Sequence, residues 1–121
     1  MKGGVSMTAA TYNITCEQGS TFSKKLTMTN SSTSAAIDLS SHTARMQVRP
    51  DVDSSTKLLD LTSSGGDITL NSSGVIQITV NATATAALAQ GGVYDLEIID
   101  SSGAVERVIQ GDFSLSKEVT R

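Results

Sequence analysis

The chain has no tryptophan, one cysteine, one histidine and one proline, and only 3% of its residues are aromatic. Each shortage closes a route. A lone Cys16 excludes an internal disulfide, so folding takes place in a cytoplasm. One cysteine and one histidine cannot close a tetrahedral structural zinc site. A carbohydrate module stacks sugars on exposed aromatic rings; here there are two tyrosines, Tyr12 and Tyr94, and both fall at inward-looking positions. No apolar run approaches the ~20 residues of a membrane span, and the N-terminus lacks an apolar signal core, so no membrane partner is expected. Basic clusters are missing too. Nine Lys and Arg are scattered among twelve Asp and Glu, for a net charge of −3. The longest basic run, Lys24-Lys25, sends its side chains to opposite faces of a strand. Phosphate binding needs clustered cations, so nucleic acid is not an expected partner.

What is present is Ser and Thr, 18 and 15 of the 121 residues. Thr suits a pleated surface and Ser the turns between strands, and the lone proline and few long-chain helix formers tilt the balance the same way. The length fits one domain. Residues 1–10 read as a flexible leader, with Met7 an alternative natural start, and residues 11–121 as a single β-sandwich domain.

Alternation begins at Thr11, placing Tyr12, Ile14 and Cys16 on one face. After a turn at 18–20, Phe22, Lys24, Leu26 and Met28 share a face, with Lys24 interrupting the apolar set. Ala44, Met46 and Val48 alternate with Thr43, Arg45, Gln47 and Arg49, and Pro50 ends the pairing by removing a donor. Residues 57–62 read as a strand. Residues 67–70 and 75–80 flank a four-residue hairpin loop, 71–74, with Gly74 at the position needing positive φ. In the Ala-rich stretch 81–90, Asn81 caps one or two helical turns that Gly91-Gly92 stop. Residues 92–100 return to strand, with Tyr94, Leu96 and Ile98 inward and Asp95 and Glu97 outward. Two further strands, 105–110 and 112–116, flank Gly111. Strand signals every 8–12 residues between Ser/Gly/Asn turns predict an all-β antiparallel sandwich with one short helix. The expected core is Ile14, Leu26, Met46, Val48, Ile76, Ile78, Leu96, Ile98, Phe113 and Leu115.

Candidate chemistry is sparse. His42, which any Ser-His-Asp arrangement would have to use, reads as a solvated loop histidine at a strand start, and no GxSxG elbow exists. Residues 51–55 (DVDSS) open like a calcium loop, but Thr56 and Thr62 stand where the pattern needs Gly and Glu, so a solvated turn is favoured. Cys16 reads as a small buried hydrophobe without a basic neighbour to lower its pKa. Asn-x-Ser/Thr matches at Asn13, Asn30, Asn71 and Asn81 are close to a chance product in so Ser/Thr-rich a chain. No Lys-Ser/Thr follows Gly91-Gly92, so they make no phosphate cradle. No catalytic residue, metal site or cofactor is expected.

Several stretches together resemble a family of small virion proteins of tailed bacteriophages. They are 12–19 (YNITCEQG), 21–23 (TFS), 42–49 (HTARMQVR), 58–62 (LLDLT), 85–88 (TAAL), 93–98 (VYDLEI) and 111–121 (GDFSLSKEVTR). The resemblance implies an immunoglobulin-like β-sandwich, similar to the N-terminal domain of upper baseplate proteins that fasten receptor-binding proteins to a tail. It implies a non-enzymatic structural part of a virion, assembled in the bacterial host cytoplasm. Its partners would be other virion proteins and copies of itself in a symmetric assembly. An adaptor at the tail, baseplate or fibre attachment is the first reading, and a head decoration or cement protein the alternative. Because the sequence stops at Arg121, it is expected to carry no fibre of its own. The candidate interface is the tail, Lys117, Glu118, Val119, Thr120 and Arg121, which leaves the last strand with alternating charge.

Overall fold

The computed structural model describes residues 10–30 and 32–120; residues 1–9 of the expected leader, and Arg121 of the tail, lie outside them. The strands in chain order are β1 (Ala10–Thr11), β2 (Ile14–Glu17), β3 (Phe22–Thr27), β4 (Thr43–Arg49), β5 (Leu59–Thr62), β6 (Ile68–Leu70) and β7 (Val75–Val80). A short helix α1 (Ala82–Ala86) follows, then β8 (Gly92–Ile99) and β9 (Val105–Ser116). Six strands form one sheet, in the order β1-β9-β8-β4-β5 with β2 also on β9, and three form the other, β3-β7-β6.

That arrangement is an immunoglobulin-like β-sandwich. The opening strand is split in two and pairs parallel with the last one, Ala10↔Ile109 and then Ile14↔Phe113. The fifth strand extends the larger sheet, where a variable-type sandwich carries its extra strands. All other ladders are antiparallel.

Side-chain alternation fixes which face of each strand is buried. Ala44, Met46 and Val48 on β4, Ile76, Ile78 and Val80 on β7, and Tyr94, Leu96 and Ile98 on β8 meet in one core. Phe22 and Phe113 span the two sheets, with ring centroids 6.2 Å apart and planes tilted by 60°. Eight of the ten expected core residues are buried, whereas Leu26 and Leu115 are half-buried and pack against the core from its margin. Leu39 and Ile68, in elements too short to show a period, are fully buried as well.

The hairpin loop turns on Gly74 as expected (φ 79°), and a Cβ there would lie 2.4 Å from the Met28 carbonyl oxygen. Asn81 caps α1 by accepting a hydrogen bond from the Ala84 amide at 2.8 Å.

Three expectations are corrected. Residues 105–116 form one strand, not two. It passes through Gly111 because a Cβ there would stand 2.6 Å from the Tyr12 carbonyl oxygen, so only glycine lets the two segments pair so closely. Within this strand a bulge between Arg107 and Ile109 breaks the alternation, and Val108 and Ile109 are both buried. Ala10, counted in the expected leader, already belongs to a strand and pairs with Ile109. Tyr12 is 41% exposed rather than inward, because it occupies the break between β1 and β2. Its backbone is held there from both sides: its N–H donates to the Gln110 carbonyl at 2.8 Å, and the Tyr94 hydroxyl donates to its carbonyl.

Candidate interaction face

The outward side chains of β4, β8 and β9 converge on a shallow depression of about 540 Å³ on the larger sheet. The register explains the convergence. Arg45 lies opposite Glu97, Gln47 opposite Asp95 and Arg49 opposite Val93, so an Arg-rich column runs beside an acidic one. Opposite charges on directly facing residues attract across a sheet. Arg45 Nε contacts Glu97 Oε1 at 2.7 Å, and Arg107 Nε lies 3.4 Å from Asp95 Oδ2. Arg49 instead donates to neutral groups, the Ser54 carbonyl and Gln47 Oε1, each at 2.8 Å. Val52, 82% exposed, stands at the rim.

Partial burial, and then the neighbouring Glu97 charge, push the Asp95 carboxyl above its ordinary range; Arg107, Arg45 and Arg49 offset this only in part. The face therefore carries charges of both signs, mostly compensated within the sheet, with moderate desolvation. Such a surface is suited to orienting a protein partner, since charge complementarity fixes register more than it adds affinity.

The residues singled out in the sequence lie elsewhere. His42 sits in the turn before β4, its N–H donating to the Leu39 carbonyl at 3.0 Å. It is half-buried rather than fully solvated, and its Nδ1 is buried with no hydrogen-bond partner among the described residues. Asp51 and Asp53 form a local turn in which the Asp53 N–H donates to Asp51 Oδ1 at 3.0 Å. Among the described residues no three His, Cys, Asp or Glu side chains group as a metal site. Cys16 is fully buried and free; burial and then the Glu17 charge push its thiol up, disfavouring the reactive thiolate.

The tail is attached more closely than its sequence suggested. Past the end of β9, the Glu118 N–H donates to Gln18 Oε1 at 2.9 Å, and its carboxylate lies against the Gly19 backbone. Gln18 Nε2 donates in turn to the Leu88 carbonyl at 2.7 Å, which ties β2, the end of α1 and the tail together. Lys117 and Thr120 are exposed, and Val119 is 93% exposed. The outward face was legible strand by strand, but nothing in the sequence marks which strands lie side by side.

The sheet order and the polar face define the class, a small immunoglobulin-like sandwich. No family model and no curated protein matches the chain. Among solved structures it is similar to one titled Tim-1, at 11% identity and a TM-score of 0.49, over 95% of this chain and 99% of that one. No helix among the described residues is long and apolar enough to cross a membrane.

Proposed function

We propose that this protein is a non-enzymatic structural component of a tailed-phage virion, an adaptor at the tail, baseplate or fibre attachment. One observation carries the reading. Two stretches of the family resemblance that are distinctive in combination, 43–49 and 94–98, pair with each other from Ala44↔Ile98 to Val48↔Tyr94. Their outward residues make the centre of the charged face. The resemblance thus falls on one continuous surface as well as on a strand pattern.

An adaptor works by repetition. The same modest contact made around a ring holds a partner that no single copy would hold. Other virion proteins and neighbouring copies are the partners, and the particle is where the protein acts after assembly in the host cytoplasm.

The test is its location and copy number in intact particles, by quantitative mass spectrometry and labelling of the particle. A number matching one ring at the tail supports the adaptor. A number matching the shell lattice would make it a head decoration protein, and absence from the particle would remove the virion reading altogether.

A further inference from the structure

The three-stranded sheet ends on β3, whose outer edge has no strand partner among the described residues. The strand that precedes it, β2, has joined the other sheet by pairing with β9. Six residues of open edge are a template for another chain, because their outward N–H and C=O groups lack a ladder. Proteins blunt such edges with proline, bulges or charge. Here the strand reads FSKKLT, with no proline, glycine or bulge, so Lys24 and Lys25 are its guards.

These two lysines are the only charges in the sheet. β7 reads VIQITV and β6 reads ITL, so the sheet carries no acidic side chain, although the protein as a whole is acidic. Lys25 is exposed on the outer surface among Ser23, Thr27, Gln77 and Thr79, while Lys24 lies in the inner row beside Tyr12. Positive charge therefore flanks the edge on both faces. A second copy pairing edge to edge would bring these lysines against their own kind, which is unfavourable across a ladder.

We propose that the β3 edge receives an extended acidic segment of a partner polypeptide by strand addition, with backbone hydrogen bonds holding it and its carboxylates facing Lys25 and Lys24. This names the chemistry of a partner for the assembly reading above. It is tested on the isolated protein, so either can fail while the other stands. Two peptides of alternating Val and Thr serve as probes, one carrying two glutamates and the other two lysines at the same places. Amide hydrogen exchange at the outward N–H groups of residues 22–27, those not bonded to β7, reports occupancy. The glutamate peptide should slow exchange there and bind about tenfold more tightly than the lysine peptide, as two cross-strand charge pairs allow. Lys25→Glu should reverse that order while leaving the melting temperature nearly unchanged, since the side chain is exposed. Equal binding of both peptides, slow exchange already present without peptide, or dimerisation through this edge would each overturn the proposal.

Discussion

The Lys24 ammonium stands 4.2 Å from the centre of the Tyr12 ring and donates a hydrogen bond to the Tyr12 hydroxyl. This pairing explains how a lysine is tolerated in the row of Phe22 and Leu26, at the margin of the core. Lys24 belongs to the smaller sheet and Tyr12 to the break between two strands of the larger one, so the contact closes one side of the sandwich. A cation over an aromatic face contributes about 0.5–1 kcal/mol at exposed sites. In a double-mutant cycle, Lys24→Met and Tyr12→Ala should couple by about that amount in urea denaturation. Strictly additive losses would show that the contact contributes nothing to stability.

Thr85 is the one fully buried polar side chain among the described residues. Its hydroxyl donates to the Ser20 carbonyl at 2.8 Å and accepts from the Gly19 N–H at 3.1 Å, fastening α1 to the turn between β2 and β3. Thr85→Val keeps the shape and leaves both backbone groups without their partner. The cost should be about 1–3 kcal/mol. A loss within the ~0.5 kcal/mol of an ordinary surface change would mean that water satisfies this turn.

Acid should act in two opposite directions. Hydrogen bonds from Ser40 and Ser102 hold the Asp38 and Asp100 carboxyls below their ordinary range, with the nearby His42 adding to the effect. A depressed carboxyl stabilises the fold above its unfolded-state pKa, and the contribution disappears as pH falls through the lower folded-state value. Asp95 is raised, so its ionisation works against folding, and stability returns as pH falls from its raised value towards the ordinary one. Denaturation measured stepwise from neutral to strongly acidic pH should show Asp100→Ala losing part of the steep acid decline. Asp95→Asn should lose the gain that precedes it. Parallel curves for wild type and both variants would mean that these carboxyls titrate alike in the folded and unfolded chains.

Much of the fold was legible because its central strands alternate strictly. Met46, Val48, Ile78 and Leu96 each sit between polar neighbours, and a one-residue slip would expose them all. The short helix was readable from Asn81 and the alanines after it. Alternation failed where the backbone departs from a regular strand. The bulge at Val108 places two adjacent residues inside, and the break at Tyr12 turns an apparently inward ring outward. The charged face was half visible. Arg45 and Glu97 were both read as outward, but they stand 52 positions apart, and only the register of β4 on β8 makes them a pair.

The tail offers a sharper test of assembly now that its attachment is defined. β9 ends at Ser116, opposite Glu17 of β2, so deletion of residues 117–121 leaves every ladder intact. The deletion removes the hydrogen bond from the Glu118 N–H to Gln18, a loss of about 0.5–1.5 kcal/mol, and the truncated protein should fold. If the protein is a virion component as proposed, incorporation of the truncated form into particles should fall when Lys117, Val119 and their neighbours touch the adjoining protein. Gln18→Ala separates two ways in which that can happen. It keeps the tail but removes the Gln18 side chain that accepts from the Glu118 N–H and donates to the Leu88 carbonyl, leaving the Glu118 carboxylate against Gly19. If the tail acts only through its side chains, Gln18→Ala particles should carry near-normal amounts. If the tail must be presented at a fixed angle, both variants should be depleted alike. Normal incorporation of the truncated protein would take these residues out of the interface. Failure of the truncated protein to fold would instead make them part of the sandwich.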